Sequence, residues 1–270
     1  MAGGLATIVG AQGFVGVRLT ARLAAEGRET YAPRKGDPEL LRRDLGTVYY
    51  CAGLTADYDR RPFDTVEAHA SLLSEILRAG RFQRLVYVSS TRLYDGLPKA
   101  QVDEAEPLVF DPTDPRRVYD LSKALGENLT LTRTDGRGRV ARLANVYDWE
   151  AGAPGFLSEW LIRARFEQAL RLDSSPHVAR DYIHLDDVVT ALIAIAGSPA
   201  PAIVNVASGE LVSNGEIAEV FEEAGRTVAF TGEARPGPPP NASIARLTGL
   251  GVRPRPVKDV VRVYLEGLTA

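Results

Sequence analysis

Ala6-Thr7-Ile8-Val9-Gly10-Ala11-Gln12-Gly13-Phe14-Val15-Gly16 follows within a few residues of the first. A short β-type run passes through a turn with glycine at every third position into the amphipathic stretch Val15 to Glu26. In that order of strand, turn and helix, Gly10 permits the tight turn, Gly13 lets a diphosphate approach the backbone, and Gly16 lets the helix pack on the strand. Amides at the helix N-terminus then face the anion. With Gln12, Phe14 and Val15 completing it, the turn is read as a dinucleotide-binding turn.

Outward from this turn the alternation continues. β-type runs at Ala6 to Gly10, Thr30 to Ala32, Thr47 to Ala52, Leu85 to Ser89 and Val140 to Leu143 enclose helical spacing over Val15 to Glu26, Val66 to Ala79 and Tyr119 to Thr132. The pattern predicts the α/β class: a doubly wound, Rossmann-like parallel sheet with helices on both faces and right-handed crossovers. After Tyr147 a loop, Trp149 to Gly155, leads into the amphipathic stretch Phe156 to Leu170, where a small C-terminal substrate-binding lobe is expected to begin. Ile203 to Ala207 reads as a return to the sheet, Gly232 to Pro240 as a proline-rich surface excursion, and Val257 to Leu268 as the last helix. The expected division is a dinucleotide-binding domain of residues 1–147 plus about 180–206, and a lobe of about 148–179 plus 207–270.

The second strand ends in Ala32-Pro33-Arg34-Lys35, where such a fold faces the adenosine ribose. A carboxylate there accepts the 2′-hydroxyl, whereas arginine suits a 2′-phosphate, so Arg34, with Lys35 beside it, favours NADP(H) over NAD(H). Ala52, ending the third strand, belongs to the same cofactor edge. Tyr119-Asp120-Leu121-Ser122-Lys123 places a phenol and an ammonium four residues apart on one helical face. A free tyrosine, with a pKa of about 10, is a poor base at neutral pH; a Lys123 cation nearby favours the phenolate. Tyr119 can then exchange a proton with a substrate hydroxyl or carbonyl. The strand Leu85 to Val88 ends in Ser89-Ser90-Thr91 at the carboxyl edge, where ligands of doubly wound folds bind. Ser90 first, and Thr91 next, can hydrogen-bond the oxygen that Tyr119 serves.

Together with Val88-Ser89-Ser90-Thr91-Arg92-Leu93-Tyr94, Arg142-Leu143-Ala144-Asn145-Val146-Tyr147 and Arg180-Asp181-Tyr182-Ile183-His184-Leu185-Asp186-Asp187, these motifs resemble the extended short-chain dehydrogenase/reductase family. Within it the chain looks like the NAD(P)-dependent epimerase/dehydratase group, from residue 6 to about 265. The resemblance implies that Tyr119 is the acid/base, Lys123 binds the nicotinamide ribose, and Ser90 polarises the substrate oxygen. It implies substrate contacts for Thr91 and Arg92, and puts Asn145 and Arg180 where nucleotide-sugar members hold the diphosphate. Arg180 reads equally as an ion pair with Asp186 or Asp187; His184 and Asp187 read as scaffold.

Thr91-Arg92 replaces the Asp-Glu pair of sugar 4,6-dehydratases, which disfavours dehydration. His69 stands at a frequent asparagine, and Gly155-Phe156-Leu157 where an Asn-Leu pair is common. A homodimer through the helices Val66 to Ala79 and Tyr119 to Thr132 is also implied. The implied reaction is hydride transfer at a secondary hydroxyl or ketone carbon of a polar, nucleotide-linked sugar, as epimerase or ketoreductase. Two other readings stay open. One is a reductase of a small non-nucleotide ketone, with Trp149, Phe156 and Trp160 lining an apolar pocket rather than packing in a core. The other is a catalytically silent NADP(H)-binding regulator, against which the intact Ser90, Tyr119 and Lys123 weigh.

Composition narrows the rest. The 270 residues carry 32 lysines and arginines against 35 acidic residues, a formal charge of −3, with no long single-sign block, so a nucleic-acid footprint is not expected. Apolar runs fall well short of the roughly 20 residues that a membrane helix needs, and the N-terminus has no secretory pattern, so the expected compartment is the cytoplasm. The one cysteine, Cys51, lies in an apolar run and reads as a core thiol. Three scattered histidines, His69, His177 and His184, support no metal site.

Overall fold

The computed structural model describes residues 4–55, 57–199, 202–233 and 237–269. Its strands are β1 (Ala6–Val9), β2 (Thr30–Tyr31), β3 (Thr47–Tyr50), β4 (Arg84–Ser90), β5 (Gln101–Val102), β6 (Gly138–Leu143), β7 (Asn145–Tyr147), β8 (Ala169–Leu172), β9 (Ala179–His184), β10 (Ile203–Val206), β11 (Leu211–Ser213), β12 (Thr227–Phe230) and β13 (Asn241–Ala242). The α-helices are α1 (Phe14–Ala25), α2 (Pro62–Val66), α3 (Leu72–Ala79), α4 (Val118–Thr132), α5 (Phe156–Arg163), α6 (Leu185–Gly197), α7 (Asn214–Glu223), α8 (Ala245–Gly249) and α9 (Val257–Thr269).

Six of the strands form one sheet in the order β10-β6-β4-β3-β1-β2, every pairing parallel. Period-two alternation divides their side chains between two cores. Ala6, Ile8, Tyr49, Val86 and Ala141 pack with Leu19 and Leu23 of α1 and with Val188, Ala191, Leu192 and Ile195 of α6. Val9, Val48, Tyr50, Leu85 and Tyr87 pack on the opposite face with Leu73 and Ile76 of α3. This is the doubly wound arrangement that the alternating runs predict. All strand C-termini in the sheet open on one edge, and the site is built there.

A separate core in the second lobe joins Leu157, Trp160 and Leu161 of α5 to Leu170 and Leu172 of β8, Ile217 and Phe221 of α7, and Val261 and Leu265 of α9. Between this lobe core and the α1–α6 core of the sheet runs β9, hydrogen-bonded to β7 and β11 rather than to the large sheet. Its Ile183 faces the α1–α6 core and its Tyr182 the lobe core. Trp160 is therefore a core residue, and Trp149 stacks on Tyr264 with ring centroids 4.8 Å apart.

Three expectations change. The helix begun at Phe156 ends at Arg163, and Leu170 lies in a strand, because the apolar period shifts from helical to alternating over Ala169–Leu172. Leu247 and Val252, assigned from sequence to the second lobe, pack beneath the parallel sheet with Ile8 and Val204. Of the segment Gly232 to Pro240, residues 234–236 lie outside the described residues, while Pro238, Pro239 and Pro240 line the cleft described below. No helix among the described residues is long and apolar enough to cross a membrane.

The helix expected at Val66 begins at Pro62, in the first-turn position that tolerates proline. It is interrupted by one π-turn, Glu67–Ser71, which carries His69 into the interior.

Candidate active site

β1 runs into Gly10, whose φ of +86° and close approach to Ala52 exclude a side chain: an added Cβ would lie 2.7 Å from the Ala52 nitrogen. A Cβ on Gly16 would lie 2.2 Å from the Gly10 carbonyl oxygen, so Gly16 is needed for α1 to fold back on the turn itself. Gly13 caps α1 without a side chain and donates its own amide to Gly10 O at 2.9 Å. The first-turn amides of α1 are thus offered to an anion, and the cradle fits a dinucleotide diphosphate. Gln12 is exposed on the turn.

In front of the carboxyl edge lies a cleft of about 1070 Å³. It brings together Gly13, Phe14 and Val15 of the turn, Ser90, Thr91 and Arg92 after β4, Tyr119 and Lys123 of α4, and Asn145 and Arg180 of the second lobe's rim. Gly10, Gly16 and Ala52 form the underside of the turn rather than the lining, and Arg34 and Lys35 are exposed in the turn after β2.

Tyr119 is 6% exposed. Its ring meets His69 edge-on at 5.1 Å and Tyr58 at 5.4 Å. Burial raises its phenol pKa above the ordinary value; a hydrogen bond with the Ser90 hydroxyl and the Arg92 charge pull it back, and Asp120 opposes them. The charges bearing most on the phenol are therefore Arg92 and Asp120, where the sequence alone points to Lys123. Lys123 instead donates from Nζ to Val88 O at 2.8 Å and lies 5.1 Å from the centre of the Tyr87 ring. Burial brings its ammonium pKa down to about 7.

His69 is held neutral by burial, its pKa down to about 2. Its Nδ1 lies 2.8 Å from Ser122 Oγ, and that hydroxyl donates to Tyr119 O at 3.0 Å. Cys51 borders the cleft with its thiol pushed up to about 12 by burial, which suits a packed thiol and no nucleophile.

The ion-pair reading of Arg180 does not hold. Asp186 is paired with Arg18, which also takes the buried Asp148, and Asp187 binds Arg255 at 3.0 Å. Arg180 lies over the Phe156 ring at 5.3 Å, and its Nη1 is buried without a hydrogen-bond partner. Asn145 donates from Nδ2 to Asp181 O at 2.9 Å. His184, buried, caps α6 by accepting from the Asp186 amide, in keeping with a scaffold role.

Sequence reasoning passes over Gly53, Tyr58 and the 177–179 rim. A Cβ on Gly53 would come within 3.1 Å of His69 Nε2 and 3.3 Å of Lys123 Nζ. Its place just past β3, on the same carboxyl edge as Ser90, is the signal that points to it.

The arrangement of glycine turn, carboxyl-edge hydroxyl and helical Tyr–Lys pair defines an NAD(P)-dependent enzyme of the extended short-chain dehydrogenase/reductase type. Residues 6–207 match the family described as NAD dependent epimerase/dehydratase, and the chain belongs to it. It is 29% identical to dTDP-4-dehydrorhamnose reductase of Mycobacterium tuberculosis over 265 residues, covering 89% of this chain and 84% of the relative. Among solved structures it resembles MoeE5 in complex with UDP-glucose and NAD, with TM-score 0.77 and 23% identity over 98% of each chain. RMD from Pseudomonas aeruginosa complexed with NADPH superposes with TM-score 0.74, at 23% identity and 98% of each chain.

Proposed function

We propose that the protein reduces a ketone carbon of a nucleotide-linked sugar, with NADP(H) as the dinucleotide and Tyr119 as the acid. The observation that carries this reading is the meeting of Ser90, Tyr119 and Lys123 with Arg180 and Asn145 in one cleft. Burial keeps the Tyr119 phenol protonated at neutral pH, the form able to give a proton to a carbonyl oxygen. Ser90 and Tyr119, brought to the same cleft from two elements, both offer a hydroxyl to that oxygen. The dinucleotide, when bound, supplies the hydride. Lys123 would offer its ammonium to the ribose hydroxyls, and Gly13 and the α1 amides would hold the diphosphate. Thr91 and Arg92 offer no carboxylate for removing water, so elimination is not part of the reading.

Arg180 is the handle for the substrate diphosphate. A guanidinium with a buried, unpartnered Nη1 at the cleft is costly unless an anion completes it. The relative named for reducing a dTDP-linked sugar and the neighbour holding UDP-glucose support the substrate class; the neighbours hold NAD or NADPH, so the preference for NADP(H) rests on Arg34. Calorimetric titration of NADPH-saturated protein with nucleoside diphosphates is expected to give micromolar binding of at least one. Arg180→Ala should weaken it about 10- to 100-fold. Absence of binding across the panel would instead favour a small non-nucleotide ketone. The same calorimetry with NADPH and NADH tests Arg34: Arg34→Asp is expected to reverse a preference for NADPH, and an unchanged ratio would remove Arg34 from the assignment.

We also infer a homodimer. Phe63 and Val66 of α2 and Leu121 and Leu125 of α4 are exposed, the last three bordering a groove that Pro112 and Val118 also line. Sedimentation as a monomer at micromolar concentration would remove this inference.

A further inference from the structure

We propose that Arg92 is a second phenolate-stabilising cation of the acid–base centre, beside Lys123: its guanidinium lies over the Tyr119 ring and holds the negative charge left there once the proton has gone. The inference rests on the acid role of Tyr119 argued above. In that step the proton passes from Tyr119 Oη to the substrate oxygen as the hydride reaches the carbon. The phenolate that remains is later reprotonated from water.

The geometry is specific. Arg92 follows Ser90 by two residues on the single 3-10 turn Thr91–Tyr94, and Ser90 Oγ caps that turn by accepting from the Arg92 amide at 3.1 Å. The turn therefore positions the serine hydroxyl and the guanidinium together. The Arg92 guanidinium carbon lies 5.1 Å from the centre of the Tyr119 ring and 4.5 Å from that of Tyr58. Its Nε meets Asp120 Oδ1 at 3.1 Å. Asp120 is wholly buried, and its other oxygen is taken by Arg117 Nη1 at 2.9 Å. Asp120 thus serves two guanidiniums and Arg117 is also paired with Asp114 at 3.7 Å, so the cation that lies against the phenol ring is Arg92.

In the ligand-free protein the other groups around the ring do not supply this charge. On the helix that carries Tyr119, Asp120 opposes the phenolate and Lys123 is turned to Val88 O. From the π-turn comes His69, neutral; from the loop after β3, Tyr58; from the sheet, Cys51 and Tyr87, both kept protonated by burial. Asp95, past the 3-10 turn, faces Arg92 and Arg117. A cation against a ring is held more strongly by the electron-rich phenolate than by the phenol, so the contact stabilises the deprotonated form selectively. A purely structural Arg92, tying the 3-10 turn to α4 through Asp120, would not make that distinction.

The test needs no substrate. The protein is labelled with 3-fluorotyrosine, and the fluorine resonance of Tyr119, assigned by its loss in Tyr119→Phe, is followed from about pH 6 to about pH 11. Arg92→Met is expected to raise the Tyr119 midpoint by at least about one pH unit. Arg92→Lys, which keeps the charge without the planar stack, should raise it by less. Tyr58 moves with it, and unmoved signals from the other tyrosines show that the fold is intact. Should Arg92→Met fail to fold, Arg92→Lys is compared with the unsubstituted protein alone. A Tyr119 midpoint unchanged by the substitution, or no Tyr119 titration up to pH 11 in the unsubstituted protein, overturns the proposal. Failure of the functional reading looks different: Tyr119→Phe would then leave turnover of keto-sugar nucleotides intact whatever the titration shows.

Discussion

Tyr119→Phe is expected to lower kcat for ketone reduction by about 10²- to 10⁴-fold while leaving dinucleotide affinity within about twofold. The phenylalanine ring fills the slot formed by Tyr58, His69 and Arg92, so packing is kept and one hydroxyl is lost. What disappears is the proton donor and its hydrogen bond with Ser90. The fold should lose no more than about 1 kcal/mol, the net worth of one hydrogen bond. Thermal denaturation and NADPH titration beside single-turnover kinetics separate the two effects. Turnover within about tenfold of the unsubstituted enzyme would mean that another group, or water, delivers the proton, and the acid assignment would fall.

Ser90, Tyr119 and Lys123 are legible in the sequence because local geometry alone brings them to the edge. A strand that ends in hydroxyl residues opens at the carboxyl side of a parallel sheet, and four residues on a helix return to the same face. The glycine turn is legible for a similar reason, since the Gly10 carbonyl oxygen excludes a Cβ on Gly16 within seven residues of chain. Arg180 is different. Whether it is spent on Asp186 or free for a ligand depends on Arg18, 168 residues from Asp186, and on Arg255, 68 residues from Asp187. Both of those partners arrive only when the two cores close on β9. The same holds for the cation beside Tyr119: helical spacing nominates Lys123, whereas the tertiary fold brings Arg92 across on a 3-10 turn and draws the lysine away to Val88 O. The shift from helix to strand near Leu170 was readable in principle, since Ala169 to Leu172 alternate, but four residues are too few to outweigh the preceding helical run.

Lys123→Met is expected to stabilise the ligand-free protein in acid and to lose that advantage in base. Lys123 is 3% exposed, and burial lowers its ammonium pKa from 10.5 to about 7. A depressed lysine pKa means that the unfolded chain binds the proton more tightly, so the stability of the unsubstituted protein rises with pH. The cost of burying the charge is complete below about pH 7, at about 5 kcal/mol, and declines to nothing as the pH approaches the unfolded value. Methionine has no such cost at any pH and approximates the shape of the aliphatic stem. Its stability advantage should therefore shrink by about 2 kcal/mol between pH 7 and pH 9, in chemical denaturation followed at both. Comparing the two pH values cancels whatever the methionine does to packing. A difference that stays constant across that range would show that Lys123 keeps an ordinary pKa, through water reaching the ammonium. The function explains why such a cost persists: ribose hydroxyls from a bound dinucleotide would give the ammonium the partners that Val88 O alone does not, so the charge that weakens the empty protein strengthens the loaded one.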